Sequence, residues 1–269
     1  MKPAPLRLVR ARTLDDVWRA FADASGDAKV IAGGQSLVAL LNLRLATPHT
    51  LIDLSGVDSL RTMTVSPSSI RIGAMVAQRV AEYDTQLRQE FPVLPRAVSY
   101  IGHPQIRSRG TIGGNVAHAD PASELPALVL LADATLRVTG PHGSRDVPAD
   151  QFFHGPYSTS VGDDEILERI DIGAAAIARR YAMHEIARCR GAFAMAGAIG
   201  SIGSTSADVR IALFGVGSTP ISVDLGGTGL IAQWGDAGFD DALRAHYDDV
   251  LSPNDDFQAT ADQRRSYAV

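Results

Sequence analysis

A single cysteine, Cys189, stands in 269 residues. An intrachain disulfide is therefore excluded, and so is any cysteine cluster able to hold an iron–sulfur centre or a structural zinc. A lone cysteine is expected to be a small buried hydrophobe. Long apolar runs are also missing: none approaches the roughly 18 residues of a membrane span. The opening stretch "MKPAPLRLVRARTLDDVW" has no apolar h-region and no small-residue cleavage site. Both absences point to a cytoplasmic location, or to the inner face of a membrane reached through a partner complex. Basic charge is scarce as well, with 25 Lys and Arg against 30 Asp and Glu and a net charge of −5. The densest basic stretch, Arg179, Arg180, Arg188 and Arg190, is short, which excludes general nucleic-acid binding. There is no internal repeat and no low-complexity tract. No G-x-S-x-G nucleophile elbow and no Gly-Lys-Ser/Thr phosphate loop is present. "GTGLIA", residues 227–232, fits G-x-G-x-x-A by letter but lacks a flanking βαβ unit.

What is present is an ordinary globular composition, 45% hydrophobic and 20% charged, with enough apolar sequence for a sizeable core. "TLDDVWRAFADAS" places a capping threonine before Val17, Ala20 and Phe21 at helical spacing, which predicts an amphipathic helix. "KVIAGG" is a short strand ending in paired glycines. "SLVALLNLRLA" is predicted helical over its length, and "TLIDLSGV" closes the unit as a strand. From Leu60 the texture changes. "LRTMTVSPSSIRIGAMV" predicts a hairpin about a Ser-Pro-Ser-Ser turn. "VAEYDTQLRQEFPVLPRAVSYI" predicts helix broken at Pro92 and Pro95. "ELPALVLLADATLRVTGPHGSRDV" reads as helix, strand and turn, and "DEILERIDI" as a further strand. A composition shift near residue 173 marks a domain boundary. Beyond it, helices and a small antiparallel sheet around "ADVRIALFGVGSTPISVDL" are expected, then a polar, partly ordered tail. The mixture is α+β.

Two segments stand apart. In "VIAGGQSL" an apolar strand runs into Gly33-Gly34, followed by Gln35, Ser36 and a helix. Paired glycines admit positive φ and close approach of a ligand to the backbone, so several N–H groups can converge on one anion. Ser36 can cap the helix or bond a phosphate oxygen. In "GTIGGNVAHADPAS" a second pair, Gly113-Gly114, lies between Thr111 and Asn115. Each alone reads as a tight turn. Together, two such loops could clamp one pyrophosphate from both sides, which suits an extended dinucleotide such as FAD better than a mononucleotide. His118, Asp120 and Glu124 match no strong metal-ligand spacing. His103, before Pro104, reads as a structural loop residue.

"AGGQSLVALLNLRLATPHTLIDL", "IGHPQIRSRGTIGGNVAHADPASELPALVLLADATL" and "RIALFGVGSTP" together resemble the FAD-binding medium subunit of molybdenum hydroxylases. That family includes aerobic carbon monoxide dehydrogenase and relatives of xanthine dehydrogenase. The resemblance runs, with gaps, from about Leu6 to Asp262. It implies an α+β fold, a PCMH-type (vanillyl-alcohol-oxidase-like) FAD-binding domain over 1–172. Its subdomains would cover about 1–55 and 56–172, with a small C-terminal domain over 173–269. By motif position, Ala32, Gly33, Gly34, Gln35, Ser36 and Leu37 would cradle the FAD pyrophosphate. Thr111, Gly113, Gly114 and Asn115 would hold it from the other side. Ser123 and Glu124 fall where the family offers a Ser and an acid to the cofactor, and Ile101 and Gly102 would line the flavin region. The implied partners are a large subunit carrying the molybdenum cofactor and a small subunit carrying two [2Fe-2S] clusters, as a dimer of heterotrimers. Electrons would arrive from a cluster and leave to a quinone, oxygen or NAD. No acid–base residue is nominated. The chain departs from the family pattern at "ARCRGAFA", where Ala192 replaces the usual aspartate and Cys189 a frequent arginine. A free-standing FAD-dependent reductase and a non-catalytic nucleotide-binding scaffold are the alternatives.

Overall fold

The computed structural model describes residues 2–205 and 207–269. The first unit is built from β1 (Arg7–Arg10), α1 (Leu14–Asp23), β2 (Ala28–Ile31), α2 (Leu37–Asn42) and β3 (Thr50–Asp53). Its strands form a parallel sheet in the order β1-β3-β2. The Thr13 hydroxyl accepts from the Asp16 N–H, and the Asp16 carboxylate reaches back to the Thr13 N–H, a capping box that sets where α1 begins. Val17 and Ala20 then face the sheet and pack with Ile52 and Leu54. The helix predicted over "SLVALLNLRLA" is shorter than expected. It ends at Asn42, and Arg44 turns into positive φ (58°).

The second unit carries a five-stranded antiparallel sheet in the order β4-β5-β10-β6-β7. The hairpin of β4 (Met63–Ser66) and β5 (Ser69–Gly73) turns at Pro67-Ser68 as predicted. Six helices follow: α3 (Gln78–Tyr83), α4 (Thr85–Glu90), α5 (Val93–Tyr100), α6 (Pro104–Arg107), α7 (Ile112–His118) and α8 (Glu124–Leu131). Pro95 does not break α5, against expectation. It lies in the first turn, where the missing N–H would have had no intrahelical partner. The expected break at Pro92 is present between α4 and α5, and a further one falls at Asp84, whose carboxylate caps α4 by accepting from the Leu87 N–H at 2.8 Å. His103 precedes α6, with Pro104 at its first position. Strands β6 (Thr135–Gly140) and β7 (Gly143–Pro148) form a hairpin whose outer strand is polar and exposed, as an unpaired edge requires. The short pair β8 (Phe153–Gly155) and β9 (Ser158–Thr159) precedes β10 (Ile166–Gly173).

After α9 (Ala174–Ile177) come β11 (Arg180–Ala187), β12 (Ala194–Ile202), β13 (Val209–Phe214) and β14 (Ile221–Asp224), a four-stranded antiparallel sheet in chain order. This sheet extends beyond the segment expected to carry it, "ADVRIALFGVGSTPISVDL", because "RRYAMHEIA" and "AMAGAIGSI" supply two further strands. Their small residues explain why they read weakly as strands. At Gly197 a side-chain carbon would fall 2.1 Å from the Phe214 ring, so the strand gives way to its neighbour's aromatic. Helix α8 packs on β12 and β13 while its other side meets α5. That is why "ELPALVLL" is apolar all round. Helices α10 (Phe239–Asp248) and α11 (Ala261–Ala268) complete the chain. The tail is thus helical rather than merely polar. Thr260 and Gln263 form a second capping box, and buried Arg264 donates to the Met195 and Gly215 carbonyls. Cys189 is exposed, contrary to the expectation for a lone cysteine. It lies in the turn after β11, where strand pairing has already ended. "GTGLIA" lies in a loop and a 3-10 turn, Leu230–Gln233, and not between a strand and a helix. Among the described residues no helix is long and apolar enough to cross a membrane.

Candidate functional site

The loop between β2 and α2 holds Ala32, Gly33, Gly34, Gln35 and Ser36. Gly34 has φ 74°, which an L side chain would strain. Gly33 is required for a different reason. A Cβ there would fall 2.1 Å from the Arg109 carbonyl oxygen and 2.7 Å from the Gly110 Cα. The first loop therefore rests directly on the backbone that leads into the second. The Gln35 amide donates to the Gly33 carbonyl at 2.9 Å and fixes the turn. Ser36 occupies the N-cap position of α2, but its hydroxyl makes no capping bond. Among the described residues, the backbone N–H groups from Gly33 to Leu37 donate to no acceptor in the chain. Five successive donors are thus left free to bind an anion. A cavity of about 600 Å³ opens beside them, lined in part by Ile31, Ala32, Gly33, Gly34, Val38 and Arg109.

The second loop is built differently. The Thr111 hydroxyl accepts from the Gly114 N–H at 3.0 Å and so caps α7. The Ile112 and Gly113 N–H groups donate to the carbonyls of Val76 (2.9 Å) and Ala74 (3.0 Å). Its early backbone donors are spent inside the fold, so the symmetric picture of two N–H cradles does not hold. Gly113 serves packing, since a Cβ there would lie 2.4 Å from the Ala74 Cα. Gly114 is the one that faces the first loop: its Cβ would meet the Ala32 Cβ at 3.3 Å and the Thr111 hydroxyl at 2.7 Å. What this loop offers a ligand is side-chain chemistry, namely the Thr111 hydroxyl proton and the Asn115 amide. Asn115 is held in place because its carbonyl oxygen accepts from the Ser123 hydroxyl at 2.8 Å.

Glu124 opens α8 and is buried. Burial pushes its carboxyl up to about 8, and the nearby charges of Glu185 and Asp120 push the same way. It is therefore mostly protonated at neutral pH and can donate a hydrogen bond. Asp120 is occupied by its own turn, accepting from the Ala122 N–H at 2.9 Å, and by the Tyr157 hydroxyl at 3.4 Å. The Tyr157 ring packs on His118 at 5.0 Å. Burial lowers the His118 imidazole below its ordinary value.

Ile101 and Gly102 lie at a seam between the second unit and the C-terminal sheet. Gly102 has φ 49°. Both of their carbonyls accept from the Arg107 guanidinium, at 3.1 and 3.0 Å. The same guanidinium makes a two-point ion pair with Glu82 of α3, at 2.8 and 2.9 Å, and both side chains are buried. Gly191 closes the seam from the other side, where a Cβ would fall 2.6 Å from the Gly102 oxygen. Neither Arg107 nor Glu82 was nominated from sequence. The run "RSRG" gives no sign of which arginine turns inward, and its acid lies 25 positions upstream.

The fold and the two glycine loops thus match what a protein built to bind an extended dinucleotide requires. Comparison with known proteins makes this specific. Residues 4–174 match the family described as "FAD binding domain in molybdopterin dehydrogenase", and the chain belongs to that family. It is 36% identical over 82% of its length to the 6-hydroxypseudooxynicotine dehydrogenase complex subunit alpha of Paenarthrobacter nicotinovorans, covering 76% of that protein. It is 34% identical over 90% of its length to the carbon monoxide dehydrogenase medium chain of Hydrogenophaga pseudoflava, covering 85%. The solved carbon monoxide dehydrogenase from the same organism superposes with a TM-score of 0.92 at 30% identity, covering 100% of this chain and 94% of that one. The chain is an FAD-dependent oxidoreductase subunit of the molybdenum hydroxylase class with the PCMH-type fold. Its relatives are medium subunits of multi-subunit complexes.

Proposed function

We propose that this chain accepts electrons from a small [2Fe-2S] partner and passes them to an external acceptor, a quinone, oxygen or NAD. A large partner subunit with the molybdenum cofactor oxidises the substrate, and two heterotrimers pair in the cytoplasm, where the complex can reach the inner face of the membrane. The observation that carries the reading is the run of five free N–H groups from Gly33 to Leu37, in contact with the loop that presents Thr111 and Asn115. The chain supplies position and electrostatics; bound FAD supplies electron storage in steps of one or two, which matches single-electron delivery to a two-electron output. Gly33, Gly34, Gln35, Ser36 and Leu37, with Ala32 beneath them, hold the pyrophosphate by backbone donors. Thr111 and Asn115 bond it from the facing side, and Gly113 and Gly114 let that side approach. Ser123 orients Asn115. Protonated Glu124 donates to the cofactor's polar body, and Ile101 and Gly102 form the wall for the ring. The composition fits this division of labour, since one exposed cysteine cannot hold a cluster. We place the boundary between the FAD-binding part and the C-terminal domain at 172/173.

The test is reconstitution of the purified full chain. Folded apoprotein titrated with FAD should quench flavin fluorescence stoichiometrically and gain thermal stability. Co-expression with partner subunits should yield one particle containing molybdenum, iron and flavin. Folded chain that stays colourless with excess FAD would overturn the reading. Isolated chain that oxidises an organic substrate unaided would favour the free-standing reductase.

A further inference from the structure

A second cavity, of about 540 Å³, opens at the seam between α5 and the C-terminal sheet, walled by Arg96, Tyr100, Glu185, Cys189, Arg190 and Gly191. It adjoins the nominated ring wall on two sides. Tyr100 leads directly into Ile101-Gly102, and Gly191 presses on the Gly102 carbonyl. Glu185, near the end of β11, has one carboxyl oxygen, Oε2, shielded from solvent with no hydrogen-bond partner. A buried acceptor or donor without a partner is costly, of order 1–3 kcal/mol, and marks a place for a missing one. Glu185 also lies within electrostatic reach of Glu124. It therefore joins the two halves of the site, the Asn115–Ser123–Glu124 side and the Ile101–Gly102 seam.

Resting on the FAD reading above, we infer that Glu185, in its protonated form, donates from the orphaned carboxyl oxygen to an acceptor atom on the flavin ring and so makes FAD affinity dependent on pH. An isoalloxazine ring presents carbonyl oxygens and ring nitrogens as acceptors, and a neutral carboxyl is the matching donor. The surroundings support a proton there. Burial pushes the Glu185 carboxyl up to about 7. The titratable and charged groups that share its cavity are Arg96 and Tyr100 from α5 and Cys189 and Arg190 from the turn after β11, and Glu124 of α8 lies within electrostatic reach; Arg188 turns away to the Phe257 and Gln258 carbonyls. Across the sheet its partner on β12 is Gly197, which brings no side chain. Arg96 is engaged by the Met183 carbonyl at 3.2 Å. The two acids oppose each other's ionisation.

The experiment is an FAD titration of the full apoprotein, read by flavin fluorescence, from pH 6 to 9, for wild type, Glu185→Gln and Glu124→Gln. Wild-type affinity should fall as pH rises through about 7, with a slope approaching tenfold per pH unit, the limit for one linked proton. Glu185→Gln keeps a donor at every pH, so its affinity should stay nearly flat through pH 7 and fall only above about 8, where Glu124 loses its proton. Glu124→Gln should leave the wild-type slope below pH 8 in place. A flat wild-type profile overturns the inference, as does an unchanged slope in Glu185→Gln or a slope that disappears only in Glu124→Gln. A purely structural Glu185 would change melting temperature and leave the slope alone. Failure of wild type to bind FAD at any pH would sink the FAD reading itself, which is a different result.

Discussion

Replacing Gly33 by alanine adds one methyl group at the point where the two loops touch. The new carbon would start 2.1 Å from the Arg109 carbonyl oxygen. Real Cβ contacts essentially never fall under 3.0 Å, so the loops must part by about 0.9 Å. The obstruction is backbone, held at Gly110 by its N–H bond to the Ile106 carbonyl and by its own carbonyl accepting from the Gln78 N–H. It cannot swing aside as a flexible side chain would. Overpacking of this kind costs about 1–3 kcal/mol of stability, which for a chain of this size is a fall of several degrees in Tm. The effect on binding is larger. Hydrogen bonds to phosphate are useful between about 2.7 and 3.2 Å, so a shift near 0.9 Å removes any bond made by the displaced loop. One charge-assisted bond is worth about 1.5–3 kcal/mol, so FAD affinity should fall roughly 10- to 100-fold for each bond lost. The assay pairs a fluorescence titration with a melting curve of the apoprotein. Gly113→Ala is the comparison, because its clash is with Ala74 in the core: it should lower Tm at least as much while weakening FAD less per degree lost. A Gly33→Ala protein that binds FAD as the parent does would refute the argument that loop contact, rather than turn geometry, demands glycine there.

Arg107→Ala should cost about 3–5 kcal/mol in urea denaturation, because it leaves the buried Glu82 carboxylate without its two bonds. Pairing it with Glu82→Leu should recover much of that stability but not FAD affinity, because the Ile101 and Gly102 carbonyls still lack their donor. Thr111→Val removes the α7 cap, a loss of about 1 kcal/mol, and also a phosphate donor, so Kd should rise by more than the stability change alone explains. For Glu124 the folded carboxyl titrates at about 8 and the unfolded one at 4.5. A raised value favours folding while the group is protonated in both states, so this contribution is complete below pH 4.5 and is lost as pH climbs to 8. The loss is on the order of 3–5 kcal/mol, and denaturation curves of Glu124→Gln should be flatter than wild type across that window.

The parts legible in the sequence were those whose cause is local. The Thr13 cap, the Pro67-Ser68 turn and the Gly-Gly pairs announce themselves within a few residues, because capping, turning and positive φ are local demands. The parts that were not legible depend on a distant partner. Gly113 and Gly114 look alike in "TIGGN", yet one yields to Ala74 and the other to Ala32, and only the fold decides which. Strand β12 looks like loop until Phe214 is known to fill the space at Gly197. Arg107 and Glu82 are invisible as a pair until α3 and α6 are brought together. The unequal division of the site follows from the same distinction. A run of unspent N–H groups is possible at Gly33–Leu37 because the chain there leaves a sheet edge and enters a helix whose first N–H groups have no intrahelical acceptor and no side-chain cap. At Ile112 and Gly113 the segment after β5 supplies acceptors, and the Thr111 hydroxyl takes the Gly114 N–H, so the same letters yield a packed helix start instead. On the proposed reading, anion binding therefore falls to the glycine pair whose N–H groups the tertiary structure leaves unsatisfied.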